Sequence, residues 1–489
     1  MSELILRDAR FYGQSERRDL RLTDGLVAEI APAGTLTGDL VDLDGRFVGP
    51  GLWDEHVHFT QWVITQERFD LSGTASAAEA LERTRIALAQ TTLPPGAVLT
   101  GYGFRDALWP DAPSLRDLDA ISGGRPVVLV SGDLHCGWLN SAAAAIAGAT
   151  LDESGLLREG DWIGAPMDAL GRGRQPGIDS YRLAADAAAA RGIVGIVDFE
   201  NAENVALWPE RVAAGVTSLR VEASIWPDRL DEAVARGLRT GHTLDPLGLI
   251  TVGRLKIVVD GSLNTRTAFC WDPYPSLDPS DPLARGIESV TPAEMRRLLE
   301  RANDNGILPA VHAIGDQANG NVVDAFEQLG LAGVIEHAQL VADTDFARFA
   351  RLGLVASVQP EHAMDDRDAA DLHWHGRTDR AFAYGSLHRA GATLRLGSDA
   401  PVAPLDPWQA IAAATSRSRD GREAWHPEQQ LPLPVALYSS ARGRETVEVG
   451  SPADLVILER DPLVAPHEHL REMTVAGTLL GGRFTHDAL

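Results

Sequence analysis

The sequence has 489 residues, a formal net charge of −25 and 44% hydrophobic residues, a composition typical of globular proteins. The acidic surplus argues against nucleic acid as a partner, because no basic excess is present to neutralise phosphates. The two cysteines, Cys136 and Cys270, cannot build a disulfide framework and favour a cytoplasmic location. No apolar leader follows Met1 and no run approaches the ~20 apolar residues of a membrane span, so we expect no membrane association.

Both ends of the chain are rich in short strand patterns. Near the start, residues 20–22 and 26–30 are apolar or alternating runs separated by a turn signal. Near the end, residues 453–458 form a continuous apolar run, and residues 475–484 hold another strand pattern. We therefore predict one composite β-sandwich domain formed by residues 1–50 and 445–489.

The middle of the chain alternates apolar strands with helical stretches, which is typical of parallel βαβ units. An open, doubly wound sheet would alternate in the same way, but the strand count and the polar residues at the strand ends favour a closed (β/α)8 TIM barrel of residues 51–60 and 190–444. The candidate barrel strands are residues 52–58, 194–198, 218–224, 255–259, 308–312, 334–337, 355–358 and 393–397.

Roughly 130 residues separate the first two of these strands, far more than an ordinary connection. This stretch has strand candidates of its own at residues 98–102 and 127–130. We predict an inserted α/β lobe over residues 61–189, beside the barrel mouth. The alternative is that these two strands belong to the barrel itself.

His56 and His58 end the first barrel strand, directly after a Gly49-Pro50-Gly51 turn. Side chains two residues apart lie on the same face of a strand, so both imidazoles would point into the barrel. Neutral imidazole is a good ligand for zinc and neighbouring metals. This spacing predicts a metal site, although a single His-x-His pattern also occurs in ordinary packing.

Three later strands end in the same way, with His312, His337 and Asp399. Barrel enzymes place their catalytic residues at the C-terminal ends of strands. One histidine there is usually structural, but four such strand ends in one chain indicate a metal-dependent active site. Asp399 is also in a position to cap a helix, a role compatible with metal binding.

Lys256 lies within the apolar run of the fourth barrel strand. A buried, unpaired ammonium group is very unfavourable, so something must compensate its charge. An ion pair with Asp260, expected on the same face, is one answer. Conversion of the amine by CO2 into a carbamate, a carboxylate-like ligand, is the other, and the residues alone leave both open.

In this order, these features resemble the amidohydrolase superfamily, and within it the branch of metal-dependent hydrolases that includes N-substituted formamide deformylase. The resemblance extends over most of the chain. The stretches that carry it are residues 50–58, 135–141, 260–268, 312–316, 336–339, 397–402 and 450–455. Gln317 stands where an arginine is common in that branch, and the lobe is short for it, which leaves the substrate open.

The resemblance implies a (β/α)8 barrel with a composite β-sandwich and a centre of two divalent metal ions, expected to be zinc. The implied ligands are His56, His58 and Asp399 for the buried metal and His312 and His337 for the second, with a carbamate on Lys256 bridging the two.

The predicted activity is hydrolysis of a non-peptide C–N bond of a small molecule by a metal-bridging hydroxide. Asp399 would act as the catalytic residue that takes the proton and delivers it to the leaving nitrogen. The alternatives are a mononuclear deaminase or an ester or lactone hydrolase on the same barrel, and a non-catalytic scaffold. Homo-oligomer formation stays open.

Four further side chains are candidate substrate contacts. The lobe residue His135 would reach the barrel mouth, and His362 follows the seventh strand. Arg266, after the fourth strand, is suited to bind a carboxylate with two hydrogen bonds, although a surface ion pair is the alternative. Asp260 completes this set as the polar residue that follows the Lys256 strand.

Overall fold

The computed structural model describes residues 3–66, 68–94, 96–171, 176–275 and 277–489, and within these ranges the chain has three β-sheets. One sheet is built from both termini. The N-terminal and C-terminal strands meet where Leu455–Leu458 pairs antiparallel with Phe47–Pro50. On its other side, Leu455–Leu458 pairs with the C-terminal strand Val475–Leu480. The strands of this terminal sheet are Glu3–Phe11, Arg17–Thr23, Leu26–Pro32, Leu40–Asp42, Phe47–Pro50, Leu455–Leu458, Val475–Leu480 and Arg483–Asp487.

The second sheet is a barrel of eight parallel strands. It closes between its first and last strands, where His58 N donates to Ala400 O at 2.8 Å and Asp399 N donates to His56 O at 2.7 Å. In chain order the barrel strands are Leu52–Val57, Ile193–Asp198, Arg220–Ile225, Ile250–Val258, Pro309–Ala313, Val334–His337, Val355–Val358 and Thr393–Leu396.

Helices cover the outside of the barrel, and their limits follow common capping rules. Pro292 and Pro407 begin two of them after the capping side chains of Thr291 and Asp406, where a missing N–H has no effect on the helix. The helices outside the lobe are Phe59–Thr65, Ile178–Ala189, Asn204–Ala213, Leu230–Ala235, Pro292–Asn303, Asp316–Leu329, Phe346–Leu352, Pro360–Asp365, Arg367–His373, Tyr384–Arg389, Pro407–Ser416, Leu433–Ser440 and His467–Leu470. No helix in the described ranges has the length and apolarity needed to cross a membrane.

The third sheet belongs to the lobe inserted after the first barrel strand. Its strands pair only with one another in the described part of the chain, so the alternative that they belong to the barrel is wrong. The lobe strands are Phe69–Asp70, Leu99–Phe104, Val127–Ser131, Cys136–Leu139 and Leu156–Arg158, and the lobe helices are Ala77–Gln90, Leu115–Ser122 and Ser141–Ala147.

The fold class predicted from the sequence is confirmed, and all eight predicted barrel strands are present. The largest difference is in the fourth strand, which begins at Ile250 rather than Leu255 because Ile250, the half-buried polar residue Thr251 and Val252 also pair with the third strand. The eight strands of the terminal domain form one continuous sheet around a shared apolar core. The domain limits drawn from the sequence stay predictions.

The core of the terminal sheet offers a quantitative test of this architecture. Ile457 is fully buried in it, whereas Val464 is 77% exposed a few residues later. We expect Ile457→Ala to lower the free energy of unfolding by about 2–5 kcal/mol, because a large cavity replaces the side chain. Val464→Ala is the matched control and should change stability by less than about 0.5 kcal/mol. Equal urea and thermal unfolding curves for the two variants would contradict the composite core.

Candidate metal centre and active site

The C-terminal mouth of the barrel brings the predicted metal ligands together. His56, His337 and Asp399 are all buried, and their ligand atoms lie within 4.8 Å of one another. His58 joins this group, since its Nε2 lies 3.4 Å from Asp399 Oδ1, compared with 3.5 Å for Nε2 of His56. Thus one carboxylate oxygen faces two imidazole nitrogens from the first strand.

Two polar atoms in this cluster have no hydrogen-bond partner in the described ranges. They are Asp399 Oδ1 and His337 Nδ1, and both are inaccessible to water. An unsatisfied buried polar atom costs about 1–3 kcal/mol, and such atoms are usually paired in native proteins. A bound cation would satisfy a carboxylate oxygen and an imidazole nitrogen together, so the residues present fit a metal ion.

His312 lies on the other side of His337. The centroids of the two rings are 4.4 Å apart in an edge-on arrangement. Nε2 of His312 lies 3.4 Å from the carbonyl oxygen of Gly261. The ring therefore borders the cluster without sharing the tight spacing of the first three ligands.

Lys256 points into the same space. Its Nζ lies 3.2 Å from His56 Nε2 and 4.4 Å from the centroid of the Phe199 ring, and the residue is 2% exposed. Burial lowers the pKa of Lys256, although the charges of Glu336 and Asp399 oppose this shift. The proposed ion pair with Asp260 is not found.

Asp260 instead holds the loops around the site. Its carboxylate accepts hydrogen bonds from the backbone N–H groups of Phe269 at 2.9 Å and Gly315 at 2.8 Å. The strand ends at Val258, so the alternation that placed Asp260 on the face of Lys256 no longer applies there. Asp260 Oδ1 also lies 3.5 Å from His312 Nε2, and the role of Asp260 as a substrate contact stays a prediction.

The electrostatics of the cluster favour uncharged imidazoles. Burial, together with the charge of Lys256, lowers the pKa of His56 and His312 well below the usual value. Burial also lowers the pKa of His58 to about 3 and that of His362 to about 4. Neutral imidazole is the form that binds metals, so the predicted ligands His56, His58 and His312 are in that form at neutral pH.

Two carboxylates that sequence reasoning missed hold His56 in place. Glu336 Oε2 accepts from His56 Nδ1 at 2.7 Å, which leaves Nε2 free to face the cluster. Asp54 Oδ1 accepts from the backbone N–H groups of His56 at 3.1 Å and Ser398 at 2.9 Å. Ligand histidines are commonly oriented in this way by a carboxylate on the second ring nitrogen.

Backbone conformation explains why two neighbouring residues, Glu336 and His337, both reach the barrel interior. Alternation along a strand would put them on opposite faces. His337 has φ +72°, a left-handed conformation that turns its ring inward at the strand end. Asp399 also has a positive φ, of +58°. Such conformations are rare outside glycine and concentrate at functional sites.

A small cavity of about 50 Å³ lies beside these ligands. The lobe closes one side of it with Arg105, Asp133 and His135, and the barrel contributes His362 among others. His362 Nε2 lies 3.9 Å from Asp399 Oδ2 and has no hydrogen-bond partner in the described residues. The structure thus places two of the four predicted substrate contacts, His135 and His362, beside the cluster.

Arg266, another predicted substrate contact, lies outside the lining of this cavity and is exposed in a left-handed loop position. Larger cavities of about 630 and 780 Å³ lie elsewhere, at the junction of barrel and terminal sheet and in the lobe. Neither contains the histidine and aspartate cluster. Chemistry rather than volume therefore identifies the candidate active site.

Comparison with known proteins agrees with this geometry. A model described as the amidohydrolase family matches residues 39–486. Protein LONG AFTER FAR-RED 3 of Arabidopsis thaliana is 28% identical, covering 90% of this chain and 83% of that protein. N-substituted formamide deformylase of Arthrobacter pascens is 24% identical, covering 94% and 92%. The crystal structure of a metal-dependent hydrolase from Pyrococcus horikoshii has a TM-score of 0.77 at 26% identity, covering 96% and 99%.

The contact between Glu336 and His56 can be tested without a substrate. We expect Glu336→Gln to weaken metal affinity about 10- to 100-fold, because the neutral amide no longer orients and polarises the imidazole. Competition with a chromophoric chelator measures this. Glu300→Gln, at an exposed helix position, is the control and should leave the affinity unchanged. Equal affinities in the two variants would contradict the supporting role of Glu336.

Proposed function

This chain belongs to the amidohydrolase family, and we propose that it cleaves an amide-type C–N bond of a small molecule at a centre of two metal ions. It is a metal-dependent hydrolase that acts on carbon–nitrogen bonds other than peptide bonds. The observation that carries the proposal is the convergence of His56, His58, His337 and Asp399 at the barrel mouth, with unpartnered ligand atoms among them.

We assign His56, His58 and Asp399 to the buried ion and His312 and His337 to the second, with a carbamate of Lys256 between them. Zinc suits this set of nitrogen and oxygen ligands. Bound divalent ions would supply a water of lowered pKa and polarise the bond to be cleaved. The carbamate fits because it replaces a buried ammonium, whose charge nearby cations would disfavour further, by an anionic group with two oxygens.

Asp399 is the residue we assign to proton transfer. Oδ1 faces the imidazoles of His56 and His58, whereas Oδ2 is directed toward His362 at the cavity. One oxygen can therefore bind metal while the carboxylate accepts the proton of the attacking water and returns it to the leaving nitrogen. Burial raises the pKa of Asp399, which suits a group that must hold this proton for part of the cycle.

The size of the cavity limits which acyl group we propose for the substrate. A volume of about 50 Å³ is far below the ~300–1,000 Å³ of typical ligand pockets, so only a small group fits beside the ligands. We propose a formyl or acetyl group as the acyl part of the substrate. The name of the Arthrobacter relative, a formamide deformylase, agrees with this size.

The alternatives differ in what they require of the centre. A mononuclear deaminase or an ester or lactone hydrolase would not need Lys256 as a bridge. In a non-catalytic scaffold, buried polar atoms would be expected to have hydrogen-bond partners. Asp399 Oδ1 and His337 Nδ1 are buried and have no such partner among the described residues. A small-molecule substrate, a cytoplasmic location and the absence of nucleic-acid and membrane partners stay part of the proposal, and homo-oligomer formation stays open.

An activity screen tests the proposed reaction. Metal-loaded protein is assayed against N-substituted formamides, N-acetylated amines, cyclic imides, lactones and amino-heterocycles, and we expect turnover of formamides or acetamides. Asp399→Asn should reduce this turnover by at least ~100-fold, the lower range for lost acid–base catalysis. Asp343→Asn, in the loop after the sixth strand, is the control. Turnover within about threefold of wild type in Asp399→Asn would show that it is not the base.

Metal content tests the two-metal centre and Lys256 together. We expect about two divalent ions per chain by elemental analysis, and loss of metal and activity in Lys256→Ala. Short carboxylic acids should restore part of both by occupying the vacated space. Lys256→Arg is the control that should not recover, because a guanidinium cannot form the carbamate. An unmodified amine in a crystal structure with both metals bound would contradict the carbamate.

A further inference from the structure

A histidine–carboxylate pair of the lobe brings its histidine to the cavity beside the proposed metal centre. His135 Nδ1 lies 2.9 Å from Glu159 Oε2, and both side chains are about one-fifth to one-quarter exposed, at 24% and 21%. His135 lines the cavity together with Asp399 and His312. Its second nitrogen, Nε2, makes no hydrogen bond to any described residue.

The pair is fixed from both sides of the boundary between lobe and barrel. Glu159 Oε1 accepts from the hydroxyl of Thr267, at 3.0 Å, in the loop after the fourth barrel strand. Asp133 Oδ1 accepts from His135 N at 3.1 Å, while Asp133 Oδ2 accepts from Asn264 Nδ2 at 2.9 Å. The orientation of the His135 ring therefore depends on contacts that form only when the lobe lies on the barrel.

The charges around the ring favour its protonated form. Burial alone would lower the pKa of His135, but the hydrogen bond and charge of Glu159, with Asp133 and Asp399 nearby, raise it to about 9. The pKa of Glu159 is lowered in return, although burial opposes the shift. A protonated His135 has an N–H on both nitrogens, so Nε2 can donate to a group inside the cavity.

We propose that the Glu159–His135 pair is an oxyanion-binding device carried by the lobe. His135 donates a hydrogen bond from Nε2 to the substrate oxygen that becomes negatively charged during hydrolysis, which makes it a catalytic residue. Glu159 is a positioning residue that acts through His135. The inference rests on the proposed function, because it assigns a second partner to the oxygen of the amide-type bond.

The position of the pair supports this role over a purely structural one. Asp399, the proposed proton acceptor, and His135, the proposed donor, line the same cavity. Hydrolysis of an amide-type bond needs both a group that accepts a proton and a group that stabilises the developing negative charge. If these residues only held the lobe against the barrel, a role that we call a structural clasp, the hydrogen bonds of Glu159 with Thr267 and of Asp133 with Asn264 would be sufficient. Neither of these uses Nε2 of His135.

Methylphosphonate, a small tetrahedral anion, is the probe that tests this donor without a known substrate. Its dissociation constant is measured by calorimetry with metal-loaded wild type, His135→Asn, His135→Gln and Glu159→Gln. Metal content and melting temperature are recorded for each protein. Glu153→Gln, an exposed lobe carboxylate beyond the pair, is the matched control.

We expect His135→Asn to bind the probe at least tenfold more weakly with full metal content, since a charge-assisted hydrogen bond is lost. His135→Gln also lacks the charge, but its longer side chain can carry a neutral N–H donor closer to the cavity, so its affinity should be intermediate. Glu159→Gln should also weaken binding, and Glu153→Gln should match wild type. With any amide that is turned over, His135→Asn should reduce kcat more than it changes KM.

The outcomes separate this inference from the proposed function. No binding of the probe to wild type, equal binding by His135→Asn, or loss of metal in His135→Asn would each overturn the oxyanion role. A fall in melting temperature with unchanged probe affinity would also overturn it and leave a structural clasp. If His135→Asn and Glu159→Gln lose affinity for methylphosphonate while wild type hydrolyses no amide of the panel, His135 is supported as a hydrogen-bond donor and the proposed reaction is refuted.

Discussion

Burial of Lys256 among imidazoles is the constraint on which the barrel mouth depends. Its amine lies within hydrogen-bond distance of His56 and above the face of Phe199, with almost no access to water. Burial, and after it the repulsion between positive charges in this space, lowers the pKa of His56 and His337 well below the usual value. Anionic groups balance positive charge in this space, and the charges of Glu336 and Asp399 are those that raise the pKa of Lys256 against the effect of burial.

The barrel determines where the proposed ligand side chains lie. They come from strands far apart in the sequence, yet each lies at the end of a strand whose place is fixed by hydrogen bonds to both neighbouring strands. The bonds between His56, His58 and the chain at Asp399 and Ala400 close the barrel and align the ligands at once. The lobe then covers the opening, so that electrostatic interactions at the site act in a medium of low dielectric constant.

Much of the fold, and the cluster of side chains that we propose as metal ligands, could be predicted from local sequence. Alternation placed His56 and His58 on one face, and apolar runs ending in His337 or Asp399 located strand ends. Long-range contacts left no such local signal: Glu336 bonds to His56 from 280 residues away, and Ser398 reaches Asp54 across 344. The backbone partners of Asp260 could not be predicted, because the strand ends before it and a local pattern does not reveal where its carboxylate will find N–H groups.

The central position of Leu455–Leu458 in the terminal sheet affects the order of events during synthesis. Phe47–Pro50, its partner, leads directly into the strand that carries His56 and His58, and Gly51 N donates to Asp454 O at 2.9 Å. Arg46 and Glu459, which meet beside this pairing, are separated by 413 residues. A ribosome therefore releases His56 and His58 long before the strand that pairs with Phe47–Pro50 emerges. The strand Phe47–Pro50 therefore stays without this partner until translation is nearly complete.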